Sequence, residues 1–147
     1  MTTIRIATLD DLDALAVLFD QYRQFYSREP DLARARAFLA LRMEHKDSRL
    51  FVAEVEGRLL GFAQAYPSLS SLAMCPIWVL NDIYVQSDLR GGRIGTELLQ
   101  AVEVAARAAG VNQIRVETAP ENVRAQRLYQ NHGFRREMGF LQFVLKV

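Results

Sequence analysis

The stretch from Asn81 to Gln100, NDIYVQSDLRGGRIGTELLQ, constrains the fold more than any other part of the chain. Its pattern predicts a strand that ends at Val85, a short polar connection, a glycine-rich turn from Arg90 to Gly95, and then a helix. Three glycines within five residues let successive backbone N–H groups converge, and the start of a helix adds partial positive charge. The stretch is therefore either an anion site or a plain strand-to-helix connection, and a glycine-rich turn alone does not choose between them.

Apolar spacing and turn residues place this stretch within a series of strands and helices. Helices are predicted from the T-x-x-D cap at Thr8 to about residue 26, and at residues 30–45, 94–110 and 122–132. Strands are predicted at residues 4–7, 50–55, 59–65, 77–85, 113–118, 134–137 and 140–147. Residues 66–76, which contain two prolines, are expected to form a loop or an interrupted strand end. The strands 77–85 and 113–118, joined by a helix, predict one parallel crossover in a single mixed α/β domain over residues 1–147.

Composition narrows the class of protein. Half of the 147 residues are hydrophobic and 24% are charged, which is typical of a soluble globular domain. A net charge of +1 argues against a broad surface for nucleic acid. The single cysteine, Cys75, excludes an internal disulfide, and no cysteine or histidine cluster stands near it to hold a metal. No segment approaches the 18 apolar residues of a membrane span, so we expect no membrane partner and a cytoplasmic location.

A second motif lies downstream, N-x-x-A-x-x-L-Y-x-x-x-G-F from Asn122 to Phe134. Together with V-x-x-x-x-R-G-x-x-I-G from Val85 to Gly95, it resembles the GNAT family of N-acetyltransferases over essentially the whole chain. That resemblance implies a mixed, mostly antiparallel central sheet of about seven strands flanked by about four helices. It also implies that the sheet splays between the strands near 77–85 and 113–118, and that acetyl-CoA lies in this cleft.

The resemblance assigns residues to the cofactor. The pantetheine arm is expected to pair with the backbone at the end of strand 77–85, as in β-augmentation, and the pyrophosphate to rest on N–H groups of the glycine-rich turn. The common family turn has glycine where this chain has Arg93. The geometry of this turn is therefore where the chain is expected to differ from the family pattern. The cofactor residues are then Ile83, Tyr84, Val85, Arg90, Gly91, Gly92, Arg93, Ile94, Gly95, Thr96, Asn122, Arg124, Ala125 and Tyr129.

Acetyl transfer to an amine needs a base and an acid. A lysine-like ammonium has a pKa near 10.4, so neutralising it at pH 7 costs about 4–5 kcal/mol. Asp82 and Glu117 are the carboxylates in position to take that proton, although Asp82 could only hydrogen-bond within the sheet and Glu117 could only pair with an arginine. Tyr129 is protonated at pH 7 and could protonate the leaving thiolate, or it could be only a packing residue.

The sequence constrains the identity of the acceptor molecule less than that of the cofactor. The run LNDIYV resembles strands of the family branch that acetylates polyamines and histone tails, but Asn81 stands where an acidic residue is common there. We expect an amine on a partly apolar molecule. The predicted acceptor residues are Tyr22, Tyr26, Glu29, Trp78, Asn81 and Asp82, with Phe25 and Tyr66 as further aromatic candidates.

Two further expectations concern assembly and activity. The resemblance implies a homodimer through the last strands, because the family often dimerises there. The apolar residues that would permit such a dimer are Phe140, Leu141, Phe143, Val144 and Leu145. The alternative to an enzyme is a non-catalytic acyl-CoA-binding or sensing module of the same fold.

Overall fold

A computed structural model describes residues 1–89 and 92–147 of the chain. Its contacts divide the chain into two units, Met1–Glu117 and Thr118–Val147. The described residues of the first unit form one five-stranded sheet, three α-helices and two short 3-10 helices, and those of the second form one α-helix. The strands are β1 (Thr3–Ile6), β2 (Arg49–Val55), β3 (Arg58–Ser70), β4 (Cys75–Val85) and β5 (Gln113–Val116). The helices are α1 (Leu12–Phe25), α2 (Leu32–His45), α3 (Ile94–Ala108) and α4 (Val123–His132).

The strands lie in the sheet in the same order as in the chain. Neighbours from β1 to β4 are antiparallel, whereas β4 and β5 are parallel and are joined through α3. The predicted parallel crossover and the predicted four helices are confirmed. No helix in the described ranges is both long and apolar enough to span a bilayer.

Helices cover both faces of the sheet. Phe62 of β3 packs in a buried cluster with residues of α1 and α2, such as Leu15 and Leu39. The preceding residue, Gly61, lies against Leu98 of α3 and close to the backbone of β4, where an added Cβ would stand 2.9 Å from the carbonyl oxygen of Tyr84. Because consecutive strand residues point to opposite faces, α1 and α2 cover one face and α3 covers the other.

The prediction of about seven strands is wrong, because the described residues form five. Residues 134–147 contain no strand. Their apolar side chains from Phe140 to Leu145 are exposed rather than packed in a core. Alternating apolar residues are compatible with a strand, but a strand also needs a neighbour that satisfies its backbone groups, and that neighbour cannot be seen in local sequence.

Residues 66–76 also differ from expectation, because β3 continues to Ser70 and β4 begins at Cys75. Pro67 pairs with Trp78 inside the long β3–β4 hairpin. The pairing of β3 with β2 ends at Ala65, so a residue beyond that point has a strand neighbour on one side only. A proline is tolerated there because the strand is locally an edge strand.

An ionic cluster ties the start of α1 to the sheet. Asp11 accepts two hydrogen bonds from the guanidinium of Arg5, at 2.7 and 2.8 Å, and one from the backbone N–H of Thr8 at 2.7 Å. Arg5 also reaches Glu54 of β2 at 2.9 Å. The hydrogen bonds from Arg5 lower the pKa of Asp11 to about 2, despite the opposing effect of burial. The predicted T-x-x-D cap is thus part of a tertiary ion pair.

We expect Asp11→Asn to lower the free energy of unfolding by about 1–3 kcal/mol at neutral pH, because it removes one partner of a partly buried pair. The folded-state pKa lies below the ordinary value, so the stabilisation is complete above about pH 4 and is lost as the pH falls toward 2. Denaturant unfolding at several pH values measures the difference between wild type and variant, which should shrink on acidification.

Asp13→Asn is the matched control, since the Asp13 carboxylate pairs with Arg36 but its side chain is 84% exposed. An exposed pair contributes about 0–1 kcal/mol. Equal losses in the two variants would contradict a special role for the Asp11 cluster.

Candidate active site

β4 carries one extra residue at Asn81, and this decides where its side chains point. In the register with β3, Leu80 pairs with Ala65 and Asp82 pairs with Gln64, so Asn81 has no counterpart. Because Gln64 and Ala65 are consecutive, they point to opposite faces, and their partners do the same. In a regular strand, residues 80 and 82 would share a face. The bulge therefore sends Asp82 to the face covered by α1 and α2.

The same region is where β4 and β5 part. Their last pair is Leu80 with Val116, and β4 continues to Val85. The end of the pairing lies where the splay between the two strands was predicted. A bulge bends a strand and increases its twist, which accounts for the loss of parallel pairing beyond this point.

Asp82 is a buried carboxylate, 6% exposed, held by hydrogen bonds. The Gln64 side-chain amide donates to Asp82 Oδ2 at 3.0 Å, and Ser48 Oγ donates to Gln64 Oε1 at 2.8 Å. The Ser48 bond fixes the Gln64 amide with its N–H groups toward the carboxylate. The Tyr22 hydroxyl donates to the Asn81 carbonyl at 3.3 Å and also stabilises the Asp82 carboxylate.

Burial raises the pKa of Asp82, while the hydrogen bonds from Gln64 and Tyr22 act in the opposite direction. Within residues 1–89 and 92–147, no lysine, arginine or histidine forms an ion pair with this carboxylate. Burial, and secondly the charge of Asp82, raise the pKa of the neighbouring Tyr66 to about 12, so that phenol keeps its proton at neutral pH. Asp82 is therefore a carboxylate with raised proton affinity, as a general base requires.

Asp82 lies in a pocket of about 450 Å³ formed with α1, α2 and the connection between them. This volume is within the range of small-molecule sites. Aromatic rings form much of its wall, with Tyr22 5.2 Å from Tyr26 and Phe19 5.8 Å from Phe38 between ring centroids. The lining residues are Phe19, Tyr22, Arg23, Tyr26, Arg28, Arg34, Ala35, Phe38 and Asp82.

Three of the six predicted acceptor residues, Tyr22, Tyr26 and Asp82, line this pocket. The other three do not. Glu29 lies in the α1–α2 connection, where its carbonyl accepts from Arg23 at 3.0 Å. Trp78 is 3% exposed within β4, and Asn81 is exposed at the bulge.

The two carboxylates predicted as bases differ in their surroundings. Asp82 is buried in the pocket, whereas Glu117 directly follows β5 and is exposed. Glu117 is therefore in contact with solvent and does not line the pocket that holds Asp82. The structure thus distinguishes Asp82 from Glu117, which were equal candidates for the base in the sequence.

The predicted cofactor residues of the first unit lie at two element ends. Ile83, Tyr84 and Val85 end β4, and Ile94, Gly95 and Thr96 form the first turn of the 15-residue helix α3. The first N–H groups of a helix lack intrahelical partners and suit a pyrophosphate, so these positions fit the cofactor. Arg93 has φ of −94°, so this position does not need glycine. Gly92 is exposed beside it, and Arg90 and Gly91 lie outside the described residues.

In the second unit the downstream motif is a helix capped at both ends. The Asn122 side chain accepts from the Ala125 N–H at 3.2 Å and so caps the start of α4. Gly133, with φ of 112°, ends the helix, and the Phe134 N–H donates to the Tyr129 carbonyl at 2.9 Å. This is the Schellman arrangement. Tyr129 is 8% exposed, with its ring 5.7 Å from that of Phe134, and Arg124 is exposed on α4.

Sequence reasoning missed Gln64 and the three arginines of the pocket. Gln64 stands out in the apolar run LLGFAQAY, and that polar residue was a readable signal. The arginines lie in α1, α2 and their connection, which meet only in the folded chain. Their convergence leaves no periodic signal in the sequence.

Comparison with known proteins gives matches along nearly the whole chain. The model of the Acetyltransferase (GNAT) family matches residues 13–134. An uncharacterized N-acetyltransferase of Bacillus subtilis (strain 168), YhfO, is 38% identical over 144 residues, which are 98% of this chain and 97% of that protein.

Solved structures agree in fold. The crystal structure of a probable acetyltransferase is 39% identical and superposes with a TM-score of 0.90 over 99% of this chain and 97% of that one. The aminoglycoside enzyme AAC(6')-Iy, solved with the bisubstrate analogue CoA-S-monomethyl-acetylneamine, has a TM-score of 0.84 over 100% of this chain and 99% of that one. It is 22% identical, so its likeness concerns the fold alone. The chain belongs to the GNAT family and is an acetyl-CoA-dependent acetyltransferase.

Proposed function

We propose that this acetyltransferase moves the acetyl group to a primary amine of a small molecule or peptide by direct attack in a ternary complex. The observation that carries the proposal is Asp82, a buried carboxylate with no ion-pair partner in the described part of the chain, which lines a pocket of small-molecule size. A buried carboxylate without a cation beside it does not favour stability, but it is well suited to accept a proton.

The acceptor enters this pocket as an ammonium and must lose a proton before it can attack. Burial raises the pKa of Asp82 and would lower that of an ammonium beside it, so both effects bring the two pKa values closer. Gln64 and Tyr22 hold the carboxylate in one orientation while it accepts the proton, directly or through a water. Glu117 is the second candidate base, and it is the less favoured one because it is exposed and does not line the pocket.

Bound acetyl-CoA supplies the acetyl thioester. We assign its arm to the backbone of Ile83–Val85 and its pyrophosphate to the turn before α3 and the first residues of that helix. The family resemblance also assigns Asn122, Arg124 and Ala125 to the cofactor. Tyr129 is the proposed proton donor to the departing sulfur. A phenol is protonated at neutral pH, and burial of Tyr129 leaves its ring in one position.

The acceptor class follows from the pocket lining. Aromatic side chains favour an amine with an apolar portion. A polyamine or a basic peptide tail would require several carboxylates, and Asp82 is the one carboxylate among the lining residues described. The polyamine and histone-tail branch, suggested by the LNDIYV strand, is therefore the less favoured substrate class.

A homodimer and a cytoplasmic location remain predictions. The exposed apolar residues from Phe140 to Leu145 support an association between C-terminal segments, because such a patch is usually covered. Light scattering with Phe143→Ser, compared with wild type, tests the dimer. The single cysteine, Cys75, supports the location, because a chain with one thiol forms no internal disulfide.

The proposal is tested by release of the CoA thiol from acetyl-CoA in the presence of a panel of primary amines. We expect turnover with at least one amine and none with the matching N-acetylated compounds. Tight binding of CoA, measured by calorimetry, without turnover of any amine would support the alternative, an acyl-CoA-binding or sensing module.

Asp82→Asn should separate a catalytic role from a structural one. The folded-state pKa of Asp82 is raised, so the ionised carboxylate costs stability as the pH rises through that pKa, whereas an amide has no such cost. We expect the stability of the variant relative to wild type to increase as the pH rises above the ordinary carboxyl pKa of about 4, and its kcat to fall by about 10²-fold or more.

Asp10→Asn is the control, because Asp10 is exposed and lies outside the pocket. It should change neither the pH dependence of unfolding nor kcat. An Asp82→Asn variant that is less stable at pH 8 and still fully active would reverse the assignment.

Tyr129→Phe should lower kcat by about 10²-fold, since it removes the proposed proton donor and keeps the ring. Steady-state kinetics with the best amine of the panel provide the measurement. A loss of less than about twofold would leave Tyr129 as a packing residue against Phe134.

A further inference from the structure

We propose that the acceptor amine also carries an anionic group, a carboxylate or a phosphate, and that Arg28 and Arg34 bind it at the outer part of the pocket. The inference rests on the proposed function, because the same pocket must hold the amine against Asp82. It narrows the substrate from any primary amine to an amine with a negative charge.

The pocket is basic although the protein is not. The whole chain has 18 lysines and arginines against 17 aspartates and glutamates. Among the nine residues that line the pocket in the described part of the chain, three are arginines and one is a carboxylate. The lining of the pocket is therefore net positive. A guanidinium binds carboxylate or phosphate through two parallel hydrogen bonds, which makes arginine the usual residue for either group.

The three arginines differ in their partners. Arg23 pairs with Asp20 at 2.9 Å and donates to the Glu29 carbonyl at 3.0 Å, so its charge is engaged inside the protein. Arg28 and Arg34 are exposed, and in the ranges 1–89 and 92–147 neither has a carboxylate within 4 Å. Their guanidinium groups are available to a ligand.

The connection that carries Arg28 and leads into α2, which carries Arg34, is fixed by a buried carboxylate, Asp20. Its side chain accepts from Arg23, from the Gln24 amide at 3.3 Å and from the Asp31 backbone N–H at 3.0 Å. Asp31 in turn caps α2 through the Arg34 N–H at 3.1 Å. A connection held in this way keeps its backbone in place before a ligand arrives, which reduces the entropy lost on binding.

Charge changes sign with depth in the pocket. Asp82 is 6% exposed, whereas Arg28 and Arg34 are exposed. A molecule with an ammonium and an anionic group would therefore bind in one orientation, with its ammonium next to the buried carboxylate and its anion among the arginines. A polycation would meet the arginines first and be repelled, which is a form of selection against that substrate class.

Matched acceptors test the inference on the wild-type enzyme. An ω-amino carboxylate is compared with its carboxamide, and an ω-aminoalkyl phosphate with the corresponding amino alcohol, so that each pair keeps an unhindered primary amine. We expect kcat/KM to be about 10-fold or more higher for the anionic member of at least one pair, the factor for one charge-assisted hydrogen bond. The pair with the larger ratio identifies carboxylate or phosphate.

Arg34→Gln and Arg28→Gln should each reduce this ratio, mainly by raising KM for the anionic member, because the contact is made equally in the ground state and the transition state. Arg34→Lys keeps the charge and should retain part of the ratio. The control is Arg36→Gln, two residues along α2, where the guanidinium pairs with Asp13 and does not line the pocket. It should leave the ratio unchanged.

Two results would overturn the inference while leaving the proposed function in place. One is equal or better turnover of the neutral member in both pairs. The other is an equal loss for both members of a pair in Arg34→Gln and Arg28→Gln, with melting temperatures unchanged. Absence of turnover with every amine, including neutral and cationic ones, would instead refute the proposed function and this inference with it.

Discussion

The extra residue at Asn81 is the constraint on which the site depends. It places Leu80 and Asp82 on opposite faces of β4, although residues two apart in a regular strand share a face. Leu80 can then stay in the core while Asp82 reaches the pocket under α1 and α2. The same irregularity lies where β4 leaves β5. One inserted residue therefore accounts for the position of the carboxylate and for the end of the parallel pairing.

A buried carboxylate without a cation beside it is costly, and the surrounding structure limits that cost without removing it. The hydrogen bonds from Gln64 and Tyr22 favour the ionised form, while burial favours the neutral form and has the larger effect on the pKa. Gln64 itself occupies a fully buried position in β3 and needs Ser48 to satisfy its carbonyl oxygen. These polar residues take the place of apolar side chains in the core of the sheet, at the point where a substrate would bind. Stability is lower there in exchange for activity, as is common at functional sites.

The pocket joins elements that are distant in the chain. Asp82 comes from β4, while the aromatic and basic side chains come from α1, α2 and the connection between them. Asp11 ties α1 to β1 and β2 through Arg5, and Asp20 fixes the α1–α2 connection. Both carboxylates are buried and both accept several hydrogen bonds, so they hold the walls of the pocket in place. The three buried carboxylates of the described residues differ in one respect: Asp11 and Asp20 each pair with an arginine, and Asp82 pairs with none.

The sequence by itself determined the elements whose signals are local. Helical periodicity gave all four helices, and the order of strands and helices gave the parallel crossover. The downstream motif is readable because its residues act within one helix: Asn122 caps the start of α4, and Gly133 with Phe134 closes its end. Both motifs together identified the family, since their spacing reflects the whole fold.

Only the tertiary structure decided the features that depend on pairing between distant segments. Local patterns predicted strands at 134–137 and 140–147, but the described chain forms none there, and they missed the extension of β3 through Pro67. From the sequence, Asp82 and Glu117 were equal candidates for the general base, and only the structure shows that Asp82 is buried and Glu117 exposed. Arg28 and Arg34 became part of a site only through the packing of two helices over a bulged strand. The physical reason is the same in each case. The environment of a side chain is set by residues that are far away in sequence, and a short-range sequence pattern contains no information about them.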